Sequence, residues 1–289
     1  MTEYASRGHP RRSMALLWGA YETPTRGPKQ ALSVPEIVAA AVELADAEGI
    51  GGLSMRKVAE RLGKSTMALY TYVPGKAELL DLMLDSVLAE LARPYEPGPG
   101  PDGWRVAAEA WAATQWAWCE RHPWTLQLAT SRALLGPHEL DAFEASLRIF
   151  DGLGLTGVEM QRIVGAIGSF VGGTAKTVAD ARAAEQVTGV SDDEWWNARS
   201  PLLAELAGDV WAERYPVSTR LDAEEQAFAQ LERDADDATP YTVRDALDTF
   251  EFGLARLLDG IAGFIAARRD GRGGTGRGTD GHAEEGGGA

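Results

Sequence analysis

The stretch from Leu53 to Lys76 restricts most strongly what this chain can fold into. Met55, Val58, Ala59 and Leu62 recur at helical spacing, which gives the first of two short helices one stripe to bury. Gly63 follows where the chain must end that helix and turn sharply, a place for a residue able to take positive φ. Ser65 and Thr66 then offer hydroxyls to the orphan N–H groups of a second helix. Leu69 and Val73, four residues apart, anchor it, so Thr66, Met67, Tyr70, Thr71 and Tyr72 are expected to face mostly outward. Pro74-Gly75 ends it. A short helix exposing small, hydroxyl-bearing and aromatic side chains suits a DNA major groove.

The flanking residues extend the pattern. Ser33 reads as the cap of an earlier helix, with Glu36 reaching back in a capping box and Pro35 tolerated in the first turn. Ile37, Val38, Ala41, Leu44 and Ala45 form its buried stripe, and Gly49 ends it. From Lys76 to about Arg93 runs an apolar helix carrying Leu79, Leu80, Met83, Leu84, Val87, Leu88 and Leu91, too apolar to keep a wide wet face.

Leu62-Gly63, Leu69-Tyr70, Tyr72-Val73, Lys76 and Leu79-Leu80 together resemble the signature of the tetracycline-repressor (TetR) family of transcription regulators. Ile37-Val38-Ala39-Ala40-Ala41 and Leu44-Ala45-Asp46-Ala47-Glu48-Gly49 are similar to that family's first helix, and the resemblance covers roughly residues 26–92. It implies an all-α chain: an N-terminal three-helix DNA-binding head with a helix-turn-helix, then a larger helical domain for ligand binding and dimerisation. It also implies that the helix after Lys76 connects head to body and moves when ligand binds.

A net charge of −15 argues at first against a nucleic-acid partner, but the charge is unevenly spread. Residues 1–76 hold ten Lys/Arg and seven Asp/Glu, whereas residues 77–289 hold eighteen and thirty-six. A mildly basic head on an acidic body turns the head toward phosphate. Residues 1–32 lack sustained periodicity and read as a flexible, mildly basic arm, in which Arg26 and Lys29 abut the first helix and are the candidates for a minor-groove contact. Trp18 is expected to dock on the body.

The expected organisation is an arm at 1–32, the head at 33–76, a connecting helix at 77–93, a Pro/Gly linker at 94–101, a body at 102–269 and a disordered Gly-rich tail at 270–289. Asp102 is a possible cap for the resumed chain. Helices are expected at about 102–121, 124–134, 138–151, 157–185, 191–213, 221–233 and 242–269, with no β signal of note. Two helices carry assembly-type stripes: Ile163, Val164, Ile167, Phe170 and Val171 on one, and Phe250, Leu254, Leu257, Leu258, Ile261, Phe264 and Ile265 on the other. The family resemblance implies that such a pair meets its symmetry mate in a four-helix bundle, giving a homodimer.

Eight of the nine tryptophans lie in the body, five of them between Trp104 and Trp124. Most are expected to pack the core. Trp111, Gln115 and Trp118 lie on one helix face and are the first candidates to line a pocket for a small apolar or aromatic effector, with Phe143 and Phe170 from helices expected nearby. No phosphate-binding loop, nucleophile elbow or metalloprotease motif is present, so an enzyme is not expected, nor a cofactor. A metal-chelated ligand, as for the family's founding member, would need a pocket histidine. His122 and His138 are the candidates, and a packing or surface role is the commoner fate of a lone histidine. Asp192-Asp193-Glu194 reads as the acidic first turn of a helix. Cys119, the single cysteine, excludes an intrachain disulfide. Without an apolar span or a signal peptide, no membrane partner is expected and the chain reads as cytoplasmic.

Taken together, these residues describe a ligand-responsive repressor that binds double-stranded operator DNA. Ser65 caps the recognition helix, which runs to about Tyr72. Thr66, Met67, Thr71 and Tyr72 would meet base edges, and Arg56, Tyr70 and Lys76 would hold phosphates. Unlike the founding family member, that helix carries no glutamine or arginine, which shifts readout toward apolar contacts and DNA shape. An activator on the same fold, or a helical small-molecule-binding protein or enzyme with a vestigial head, remains the alternative.

Overall fold

The computed structural model describes residues 3–20, 32–96, 100, 103–129, 132–208, 210–231 and 239–274. The chain is all-α. The helices are α1 (Pro10–Leu17), α2 (Val34–Glu48), α3 (Met55–Arg61), α4 (Thr66–Tyr70), α5 (Lys76–Leu88), α6 (Trp104–Arg121), α7 (Pro137–Arg148) and α8 (Gly157–Thr188). After them come α9 (Asp192–Ala207), α10 (Val210–Arg214), α11 (Pro216–Leu231) and α12 (Tyr241–Gly274). Short 3-10 turns occupy Ile50–Gly52, Ala89–Leu91 and Pro123–Gln127. Two compact units divide the chain: Met1–Gly172 with Gly253–Ala289, and Gly173–Phe252.

In the first unit, α2, α3 and α4 form the head around Ile37, Ala41, Ala45, Val58, Leu69 and Val73, all buried. Ser33 caps α2 by accepting the Glu36 N–H, but the Glu36 carboxylate bonds the Ser33 hydroxyl (2.8 Å) and not its backbone, so only half of the expected capping box forms. Helix α5 is buried nearly all round, as its composition requires, and it carries three buried acids beside Leu79, Leu80 and Met83.

Those acids explain the main departure from expectation. The first part of the expected flexible arm is folded against α5. Asp81 Oδ1 accepts the Ser6 N–H (2.7 Å) and Glu78 Oε1 accepts the His9 N–H (3.2 Å). Helix α1 follows, with Leu16 and Leu17 buried and Trp18 donating its indole N–H to the Leu135 carbonyl (2.9 Å), as its expected docking required. Asp85 accepts the Glu139 N–H (2.9 Å) in the first turn of α7. A buried carboxylate is costly unless hydrogen-bonded, so these acids fix their donors in place. Burial raises the Asp81 carboxyl above its ordinary range, against the pull of the Ser6 hydrogen bond.

Other differences are smaller. No helix spans 124–134: Pro123 opens a 3-10 turn, and Leu128–Ala129 forms β2, paired in parallel with β1 (Glu3–Tyr4). Gly103, not Asp102, stands at the N-cap of α6; Asp102 lies outside the described residues. The single helix expected at 191–213 is broken at Gly208, where φ is +48°, a conformation glycine adopts without strain. Helix α12 runs past the expected end at 269, and residues 275–289 of the tail lie outside the described ones.

The stripes expected to form an assembly surface serve largely as core within one chain. Ile163, Val164, Ile167 and Val171 on α8, and Leu254, Leu258, Ile261 and Ile265 on α12, are buried. Gly253 lets Phe170 close on α12: a Cβ there would lie 2.5 Å from the Phe170 ring. Exposed on these helices of the first unit are Gly165, Ala166, Gly260, Gly263 and Phe264, beside charged residues such as Arg162, Arg256, Asp259 and Arg268. Cys119 is buried and its thiol is pushed up to about 12 by that burial.

In the second unit Ser191 and Glu194 form a reciprocal capping box at the start of α9. Asp192 accepts both the N–H (2.9 Å) and the hydroxyl (2.7 Å) of Thr242, which ties α9 to the first turn of α12. Asp192, Asp193 and Glu194 are the acidic first turn of a helix, as expected. No helix among the described residues is long and apolar enough to cross a membrane.

Candidate nucleic-acid interface

The geometry of the head follows from local chemistry around Gly63. Ser54 caps α3 by accepting the Lys57 N–H (3.3 Å). At its other end Gly63 takes φ +64°, Lys64 N–H bonds Ala59 O (2.9 Å) and Gly63 N–H bonds Glu60 O (3.1 Å), the paired bonds of a Schellman turn. Ser65 Oγ then accepts the Ala68 N–H (3.2 Å) and opens α4. That helix is shorter than expected, ending at Tyr70 with Thr71-Tyr72 in the following turn. Leu69 and Val73 are fully buried, while Met67 is 74% exposed and Tyr70 43%. Thr71 is exposed, and Thr66 and Tyr72 are half-buried.

These residues therefore share one solvent-facing surface on a pinned helix. Thr71 Oγ1 already donates to Met67 O (3.3 Å), which leaves its methyl and the acceptor lone pairs of its oxygen as the free parts of the side chain. Ser65→Ala is expected to cost about 1 kcal/mol of head stability, the usual worth of such a cap. A thermal melt of the variant that matches wild type would contradict that role.

The cations of the head are mostly paired with its own acids. Arg56 bonds Glu60 (2.9 Å) one turn along α3, Lys57 bonds Glu48 (2.6 Å), and Arg61 bonds Glu43 (2.6 Å), the last two reaching from α3 to α2. All are exposed pairs, which add little stability and exchange readily for other anions. Lys64, exposed in the turn beside the recognition surface, has no ion pair among the described residues. Sequence reasoning passed over it, although its position in the inter-helix turn was the available signal. Lys76 stands at the start of α5, half-buried. Arg26 and Lys29 lie outside the described residues.

Residues 37–83 match the bacterial regulatory proteins of the tetR family, and residues 96–265 match the tetracyclin repressor-like C-terminal domain. The chain belongs to the tetR family. It is 42% identical over 268 residues to the HTH-type transcriptional repressor DrrR1 of Streptomyces coeruleorubidus, covering 93% of this chain and 91% of that one. It is also 29% identical over 228 residues to the class A tetracycline repressor from transposon 1721 in Escherichia coli, covering 78% and 88%. Among solved structures, the Streptomyces coelicolor tetR-family protein ActR, in complex with actinorhodin, aligns with a TM-score of 0.61 at 25% identity over 81% of this chain and 98% of that one. The helix-turn-helix is thus the DNA-binding element of a tetR-family regulator.

The tetR-type body holds the ligand candidates in three environments. Trp111 and Trp118 are buried on α6, and Trp118 spends its indole N–H on the Val87 carbonyl of α5 (2.9 Å). Between them Gln115 is directed at α8, where a methyl group on Gly168 would sit 3.6 Å from its Nε2. Its Oε1 is buried without a hydrogen-bond partner, a costly state for a polar atom. Phe143 is 39% exposed on α7, and Phe170 lies against Gly253 of α12. A separate cleft of about 700 Å³ is lined by Arg93, Tyr95, Asp141, Glu144, Arg148 and Ile149, none of them expected from sequence. Of the two histidines weighed for metal chelation, His138 is exposed on α7, and His122 has its Nδ1 beside Asp46 and its Nε2 beside Glu90.

Proposed function

We propose that the protein is a homodimeric, ligand-responsive transcriptional repressor. It places α4 of each protomer in the major groove of a pseudo-palindromic operator and is released by a small apolar or aromatic effector. The observation that carries the DNA-binding half is the surface formed by exposed Met67, Tyr70 and Thr71 with half-buried Thr66, on a helix and its exit turn held from behind by Leu69 and Val73. Thr66, Met67, Thr71 and Tyr72 meet base edges, and Met67 suits a thymine methyl. Arg56, Tyr70 and Lys76 hold phosphates, joined by Lys64. Two such helices related by dimer symmetry supply the contacts that one cannot.

The buried, unpartnered Gln115 carbonyl between Trp111 and Trp118 supports an effector site on α6, since apolar pockets use a few placed polar groups to orient a ligand. Effector bound there acts on α5, on which Trp118 is hydrogen-bonded, and through α5 on the spacing of the two heads. Anisotropy of a labelled operator, titrated with a panel of polycyclic aromatic compounds, tests this reading. At least one compound is expected to return the signal to that of free DNA, and Trp111→Ala to blunt its effect. Release by charged, non-aromatic compounds alone would contradict the effector class.

A further inference from the structure

His122 stands at the C-cap of α6 and is almost wholly buried. Its Nδ1 lies 2.7 Å from Asp46 Oδ1 on α2, and its Nε2 lies 3.1 Å from Glu90 Oε1 in the 3-10 turn after α5. Trp124 donates its indole N–H to the same Asp46 oxygen (2.7 Å). Arg121 pairs with the other Glu90 oxygen, and Trp118 and Trp124 pack edge-on against the imidazole. The charged groups facing the ring are therefore Asp46 from α2 and Glu90 from the end of the connecting segment, with Arg121 of α6 behind Glu90. One side chain joins the head, the connecting helix and the first body helix.

Both ring nitrogens meet carboxylate oxygens, which only accept. A neutral imidazole has one N–H and one lone pair, so only the doubly protonated ring donates to both partners. With one proton lost, a lone pair faces a carboxylate oxygen at hydrogen-bond distance in a site shielded from water, where that repulsion is strong.

We propose that His122 is a positioning residue for operator binding: doubly protonated, it clamps α2 of the head to the junction of α5 and α6, and loss of one proton loosens the head. This rests on the DNA-binding reading above. Operator affinity should then be highest at acid pH, where the ring carries both protons, and fall as pH rises.

The test uses the full-length protein and a duplex recovered by selection from a random-sequence library. Wild-type affinity is expected to fall about tenfold from the acidic to the alkaline end of a pH series, the scale of one charge-assisted hydrogen bond. His122→Phe keeps a ring between the tryptophans and leaves Trp124 on Asp46 and Arg121 on Glu90, so no buried carboxylate is orphaned. It should bind more weakly than wild type at the acidic end of the series, with a flat profile. Asp46→Asn, which keeps the shape but removes one of the charges that hold the second proton, should flatten it too. His9, His138 and His282 remain in every variant, so the difference between profiles isolates His122. A flat wild-type profile, or variants that keep the wild-type slope, would overturn the proposal. Amide exchange along α2 in the DNA-free protein separates the two readings. Faster exchange in His122→Phe than in wild type at one pH supports the clamp even where no duplex is selected, and equal exchange overturns it.

Discussion

Leu69→Ala is expected to abolish specific operator binding while most of the helical signal survives. Helix α4 has five residues, far too few to hold helical structure alone, so its position depends on tertiary anchors. Leu69 is fully buried, and its carbonyl also accepts the N–H groups of Tyr72 (2.9 Å) and Val73 (2.8 Å), which shape the exit of the helix. Truncating a buried leucine costs about 2–5 kcal/mol, the larger values where the site cannot collapse. That cost falls on the local equilibrium that positions this five-residue helix, which is weaker than the stability of the domain as a whole, so the recognition surface is left unformed much of the time. Helices from α6 onward do not depend on Leu69, so far-UV circular dichroism should fall only modestly. Operator affinity should fall by more than about a hundredfold, in line with that loss of stability. Binding within about threefold of wild type would show that α4 is not held by this anchor.

The second large effect separates base reading from charge. Met67→Ala with Thr71→Ala removes two exposed side chains, neither of which packs the head, so stability should change by less than about 0.5 kcal/mol per site. Each contact to a base is typically worth about 1–3 kcal/mol of discrimination, so specific affinity should drop about 10- to 100-fold or more, with weakened preference at the matching operator positions. The salt dependence should not change, because no cation has been removed. Lys64→Ala should do the reverse: weaken binding to all sequences alike and make the salt slope shallower by about one for each phosphate that Lys64 neutralises. Both quantities come from titrations of specific and scrambled duplexes at several salt concentrations. A double variant that keeps its sequence preference would remove Met67 and Thr71 from the reading surface.

The helix-turn-helix was legible because its determinants are local. Gly63 at positive φ, the Ser65 cap and the Leu69–Val73 anchor are close neighbours in the sequence and act through backbone geometry. The docked N-terminal segment was not legible for the opposite reason. Its hydrogen bonds join Ser6 to Asp81 and His9 to Glu78 across 75 and 69 residues, and the donors are backbone N–H groups that leave no mark on the sequence. The β1–β2 pair has two residues per strand, too short for a period to register. Residues 124–134 read as helical by composition, but Pro123 opens a 3-10 turn and Leu128–Ala129 pairs with β1. In the body, apolar spacing on α8 and α12 marked burial correctly without telling core from partner surface, and the same ambiguity left Phe143, which is exposed on α7, among the pocket candidates. His122 was visible only as a lone histidine, because Asp46 and Glu90 lie 76 and 32 residues away.

The most direct test of the central claim is a fluorescence titration of the full-length protein against the DNA immediately upstream of its own gene, beside a scrambled duplex and with Tyr72→Ala as control. The account predicts tight binding to the upstream DNA that weakens steeply with salt, is at least about a thousandfold stronger than to the scrambled duplex, and is abolished in the variant. Equal affinity for both duplexes, with no sequence enriched from a random library, would contradict it.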